Sequence, residues 1–297
     1  MLRIVLLIVA LYACFALGSG IAMHGIVQAP QQASAAATAL ILLIVCFLQA
    51  IGVAFLVLRS RWSGWRLVAA IFVVFYGVTT FMPQIESAVF LTHLPQGMLP
   101  RLFLMGLLID APFSLLAVVI LRRWKATSVG AEDNPQLPVS AGEWTWKLGL
   151  IAVAYVILYF TFGYFVAWRQ PAVRAYYDAG SNLDSFFTQM QNVARGTPWL
   201  FPFQLLRGLC WAGIAVVIIR MLKATRLEVT LAIAYTFAVV MNALLLLPNP
   251  YMPNSVRIAH FVETTSSNLI FGLLVGWLLT RRSPEDLVYK SVTTVFH

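Results

Sequence analysis

Eight long apolar runs constrain this chain more than any other feature. They cover residues 4–22, 36–58, 67–90, 102–121, 147–168, 203–219, 228–247 and 258–280. A hydrocarbon core about 30 Å thick is crossed by ~20 apolar residues in a helix. A backbone in lipid must satisfy its own hydrogen bonds, so it spans as a helix or as a closed barrel. The runs lack the two-residue alternation of barrel strands. The sequence therefore predicts an all-α polytopic membrane bundle of eight transmembrane helices. Pro83 in the long third run predicts a kink near its end. The first run follows Arg3 and resembles a signal peptide, but it continues beyond Cys14 to Met23. It reads as an uncleaved anchor.

Charge bears on what the chain excludes. Hydrophobic residues make up 61% and charged residues 10%, against about 25% charged in soluble domains. Too few charges are present to cover a water-soluble fold, so soluble, disordered and nucleic-acid-binding classes are excluded. The net charge of +9 comes from 20 Lys and Arg against 11 Asp and Glu. Most of the cations gather at one set of helix ends. These are Arg3; Arg59, Arg61 and Arg66; Arg122, Arg123, Lys125 and Lys147; Arg220, Lys223 and Arg226; Arg281, Arg282 and Lys290. The smaller group is Arg101, Arg169, Arg174, Arg195, Arg207 and Arg257. The positive-inside rule makes the richer set cytoplasmic. Both termini are then cytoplasmic, and a bacterial-type plasma membrane is the expected location.

The segment 122–146 carries SVGAEDNPQLPVSAGE and reads as a cytoplasmic linker. It divides the chain into a four-helix half at 1–121 and a second at 147–297. Ile51–Arg59 (IGVAFLVLR) aligns with Ala212–Arg220 (AGIAVVIIR), each closing the second span of its half. A 4+4 parallel pseudo-repeat follows as an expectation, an architecture known among transporters. The outward interfacial loop 169–202 contains an amphipathic stretch. Leu183, Phe186, Phe187, Met190 and Val193 face one way, while Asn182, Asp184, Gln189 and Arg195 lie largely elsewhere. It reads as a headgroup-level helix that shields the bundle or lids a cavity. Trp199, Phe201 and Phe203 supply an aromatic anchor.

Ionisable residues inside spans are costly and mark function. Glu86, Asp110, Arg207, His260 and Glu263 all fall in the outward half or near the midplane. His24 and His93 also lie on the outward side. In RIAHFVETTSSN, His260, Glu263, Ser267 and Asn268 share one face at about 100° per residue. Thr264 flanks that stripe, and Arg257 stands one turn before it. Either Arg257 or Arg207 is expected to pair with Glu263. Glu86 and His93 share a face if the third helix continues. Asp110 with Ser114 and Asn242 with Tyr235 form further polar pairs. Together these predict an outward-facing polar pocket.

His24, Glu86, His93, His260 and Glu263 are the ligand types zinc uses. They are scattered and include no HExxH, so no metal is assigned and the cofactor is left open. Cys14, Cys46 and Cys210 sit in apolar runs without CxxC spacing and imply no disulfide framework. Walker, GxSxG, Rossmann and haem-attachment motifs are missing. Three functions fit these residues. The first is a small permease or ligand-binding membrane protein for a small polar or anionic solute, with His260, Glu263 and Asp110 relaying protons. The second is a membrane-embedded hydrolase or transferase acting on a lipid or lipid-linked substrate. The third is a non-catalytic assembly subunit whose polar face holds helices or a partner. The lipid bilayer is the one certain partner, and no nucleic acid is expected.

Overall fold

A computed structural model describes residues 1–26, 34–91, 94–125, 141–180 and 182–281. Among them are eight helices long and apolar enough to cross a membrane: Leu2–Ala22, Ala35–Leu58, Gly64–Phe90, Met98–Ile120, Gly142–Ala167, Leu200–Met221, Arg226–Leu246 and Asn254–Thr280. They are numbered here as spans one to eight. The described residues form no strand beyond isolated bridges. The chain is a multi-pass helical membrane protein in contact with lipid. Most of the linker at 122–146 lies outside the described residues.

Two of the spans start on a side-chain cap. Ser34 caps span two by accepting the Ala37 N–H, and Thr225 forms a capping box with Glu228 at the start of span seven. The expected disturbance near Pro83 takes a specific form. Residues Gly77–Phe81 widen into a π turn before the proline, which has no N–H to give to the Thr79 carbonyl. Two more π turns, Gly163–Ala167 and Thr236–Val240, interrupt spans five and seven.

The spans pack through small residues. A Cβ on Gly272 would sit 2.6 Å from the Cα of Ala234, and one on Gly276 would sit 2.7 Å from the Cα of Thr230. Spans seven and eight thus meet along a glycine pair four residues apart, as close-packed membrane helices do. Gly18 likewise abuts Ile109 of span four, whereas Gly20 faces open space. Span one lies on spans two and four, and span three on span four. Span five lies on spans six and eight, and span seven on span eight. Between the halves, span two packs on span seven, span three packs on span six, and the π turns of spans three and seven touch.

The cation-rich helix ends are tied together. Arg61 N–H donates to the Met221 carbonyl and Lys223 N–H to the Arg59 carbonyl, both at 2.8 Å. The segments that align in sequence therefore meet in space at a short antiparallel bridge. Lys147, 2% exposed, pairs with Glu143 at 2.5 Å and donates to the Arg281 carbonyl at the end of span eight. Near the middle of the spans the core is aromatic. Trp211 packs on Phe237 at 4.4 Å, and Phe75 on Phe113 at 5.3 Å between ring centres.

Candidate functional site

At the opposite end the halves part around a cavity of about 990 Å³. Its wall draws on both halves, from Phe15, Leu42, Glu86 and Asp110 to Tyr155, Arg207, Asn242 and His260. Phe271 lies in its floor and packs on Phe237, so the aromatic core closes the cavity toward the cation-rich end. Leu91, Leu94 and most of the segment 244–252 line it too, so the loops after spans three and seven converge there.

The polar stripe of span eight faces this cavity. His260 Nδ1 lies 2.8 Å from Glu263 Oε2, and His260 Nε2 lies 3.1 Å from the Tyr177 hydroxyl. Burial first, and then the Glu86, Tyr176 and Glu263 charges, push the Tyr177 phenol above its ordinary range. It therefore keeps its proton and can donate it to Nε2. With that donation the imidazole hydrogen sits on Nδ1 and donates to the Glu263 carboxylate. Tyr177, His260 and Glu263 thus form a continuous hydrogen-bonded chain. Tyr177 stands just past the short helix Pro171–Tyr176, anchored where the Tyr176 hydroxyl donates to the Tyr251 carbonyl. Thr264 Oγ1 lies 2.7 Å from Asn242 Oδ1 and 2.6 Å from the His260 carbonyl, joining spans seven and eight beside the chain. Ser267 and Asn268 also line the cavity, and Asn268 donates to the Met241 sulfur.

Across the cavity stands a second group. Arg207, 1% exposed, donates to Glu86 Oε2 at 2.6 Å and to Gln204 Oε1 at 2.9 Å. The Tyr155 and Phe203 rings lie within 6 Å of the guanidinium carbon. The partner of Arg207 is thus Glu86 and not Glu263, which is taken by His260. Spans three and six pack together and leave Glu86 within reach, whereas Glu263 is drawn to the imidazole one turn away on its own helix. The expected Arg257–Glu263 pairing does not form either. Arg257 donates to the Leu245 carbonyl and to Asn254, so it braces the loop after span seven and does not line the cavity.

Asp110 of span four, 2% exposed, reaches the deep part of the lining. Its Oδ2 is 2.9 Å from Thr79 Oγ1 and 3.1 Å from Thr80 Oγ1, both on the π turn of span three. Ser114 turns back to the Asp110 carbonyl instead of joining the carboxyl. Tyr235 donates to the Leu48 carbonyl on span two, away from the cavity and apart from Asn242.

The helix Phe186–Gly196 covers one side of the mouth. Gln189, Met190 and Val193 line the cavity. Phe186 lies against Tyr164, whereas Phe187, assigned to the same face from sequence, is 78% exposed. One residue further along the helix turns it about 100° away. The helix begins only at Phe186, capped by Ser185, so Leu183 precedes it.

Among the described residues no three His, Cys, Asp or Glu side chains are placed to hold a metal ion. His24 lies beyond span one and its carbonyl accepts from Arg101, outside the cavity wall. His93 lies outside the described residues, and the helix that would carry it past Glu86 ends at Phe90. Sequence reasoning missed Tyr177, Gln204, Thr79 and Thr80. The first sits in an aperiodic loop, and the others are ordinary polar residues whose neighbours come from other spans.

No protein-family model, no curated protein and no solved structure matches this chain.

Proposed function

We propose that the protein is a small permease, or a solute-binding membrane protein of permease architecture, for a small polar molecule that enters from the outward side. The supporting observation is the cavity itself. It lies between two four-helix halves, contains a partly buried hydrogen-bonded relay and a partly buried ion pair, and is closed at one end by aromatic packing. Its volume stands at the upper end of the range for small-molecule sites, about 300–1,000 Å³. Interrupted helices at a half-to-half interface are the usual setting of transporter sites, and the touching π turns of spans three and seven supply such a setting. The neighbour relations among spans one to four recur among spans five to eight, which supports a duplicated 4+4 origin.

Electrostatics refine the solute. The arginines that suggested an anion are committed, Arg207 to Glu86 and Arg257 to a loop carbonyl. Among the described lining residues Glu86 and Glu263 stand with a single guanidinium, that of Arg207, and tyrosines 155, 159, 164, 176, 177 and 251 supply π faces. Carboxylates with aromatic walls recognise amines and other organic cations. A cation or zwitterion is therefore the preferred class. A thermal-shift panel of amines, amino acids and carboxylates on the purified protein tests this, followed by proteoliposome uptake with and without a pH gradient. Stabilisation follows RT ln(1 + [L]/Kd). Amines are expected to stabilise, and a panel in which only carboxylates do so rejects the cation preference.

One observation favours an enzyme as the second reading. The Tyr177 hydroxyl rests on an imidazole whose other nitrogen is held by a carboxylate, an oriented acid–base chain. A membrane-embedded hydrolase or transferase acting on an amphiphile would use it. Turnover of a lipid substrate lost in Tyr177→Phe, without uptake in vesicles, would select this reading.

A further inference from the structure

Asp110 presents a hydrogen-counting problem that the solute site does not resolve. Thr79 Oγ1 lies 2.8 Å from the Phe75 carbonyl and 2.9 Å from Asp110 Oδ2. A threonine hydroxyl has one hydrogen. On a helix that hydrogen commonly goes to the carbonyl four residues back, and with the rotor so placed the Thr79–Asp110 contact takes its hydrogen from the aspartate. Thr80 can donate to the same carboxyl oxygen at 3.1 Å. The approach is built in. A Cβ on Gly106, one turn before Asp110, would lie 2.0 Å from Thr80 Oγ1.

No ion pair reaches this carboxyl among the described residues. The titratable groups nearest it on the packed elements are Cys14 of span one and Tyr76 of span three, with Cys46 of span two beside Cys14, all neutral in their ordinary forms. Glu86, farther along span three, is held by Arg207. Arg101 lies on span four itself, nine residues away or about 13 Å along the axis, and binds carbonyls beyond span one. A carboxyl buried without a cation is cheapest as the neutral acid.

We infer that Asp110 is a reversible proton-binding site open to the cavity, its O–H donating to Thr79 and its carboxyl oxygen accepting from Thr80. The proton leaves as a hydron to water in the cavity, and Thr79 can then turn its own hydrogen from the Phe75 carbonyl to the carboxylate. Nothing is oxidised or reduced, and one O–H bond breaks while another forms. Use of this proton to drive a solute rests on the permease reading. The presence of the proton does not.

The test uses the full chain in liposomes with carboxyl-13C aspartate, read by infrared spectroscopy. A protonated-aspartate C=O band is expected at neutral pH. It should shift in D2O, fade as pH rises through a single-proton transition, and vanish in Asp110→Asn. Exchanging sodium for choline should leave it unchanged. In wild type, dicyclohexylcarbodiimide should add to Asp110, found by peptide mapping, and this needs no folded variant. Three results would overturn the inference: no such band at neutral pH, a band that ignores D2O, or loss of the band in sodium alone, which would make this a metal-cation site. Solute transport does not enter the measurement. Failed uptake with a titrating band removes only the permease reading, and uptake without the band removes only this site.

Discussion

Two substitutions separate roles within the cavity. Glu86→Gln leaves Arg207 charged and buried with Gln204 as its remaining carboxamide partner. Removing one member of a buried pair costs roughly 2–5 kcal/mol, and partial exposure of Glu86 places this variant toward the lower end. Thermal unfolding in detergent measures it. The double variant Glu86→Gln with Arg207→Met, which removes the stranded charge, is expected to recover most of the loss. Glu263→Gln, by contrast, keeps the shape of a side chain that faces the cavity and touches His260. It is expected to abolish ligand-induced stabilisation and uptake while the apo protein remains monodisperse. Unfolding of this variant instead would assign the His260 stripe to holding helices together. Tyr177→Phe deletes one hydrogen bond to the imidazole, at a cost of about 0.5–1.5 kcal/mol, and is expected to weaken ligand binding by a similar amount.

At the scale of elements, glycine determines how closely the spans approach. Gly106→Ala drives a methyl into the Thr80 side chain, and Gly276→Ala drives one into the Thr230 backbone. Overpacking of this kind costs about 1–3 kcal/mol, seen as earlier thermal unfolding. The first also displaces the π turn from Asp110, so the protonated-aspartate band should shift in Gly106→Ala and stay in place in Gly276→Ala. Gly20→Ala, with open space around the added carbon, serves as the neutral control. The helices themselves were legible in sequence to within a few residues, because a twenty-residue apolar run in lipid has few alternatives. The π turns were not. Pro83 announced a disturbance in span three, but spans five and seven carry π turns without any proline, and nothing in a hydropathy pattern distinguishes a hydrogen bond five residues back from one four residues back.

For the whole molecule, orientation is the property most open to a direct check. The positive-inside assignment expects Lys125→Cys to label with a membrane-impermeant maleimide only after the membrane is opened. Ala194→Cys, on the exposed helix beside the cavity mouth, is expected to label in intact cells. The opposite pattern would invert the protein and turn the cavity toward the cytoplasm. Native Cys14 and Cys46 are buried and Cys210 is partly so, which keeps the background low.

Periodicity and hydropathy act locally, through the cost of exposing a polar backbone to lipid and of burying charge within it. They were enough to establish a helical membrane protein, the number of its spans, and the end at which its scarce ionisable groups lie. They also placed His260, Glu263, Ser267 and Asn268 on one face, since a single helix settles that question. Partner choice belongs to the tertiary structure. Arg207 went to Glu86, Arg257 to a loop carbonyl, and His260 to a tyrosine 83 residues distant in sequence. Contacts between spans depend on rotation about each helix axis and on glycine-set spacing, and neither is written in any one segment.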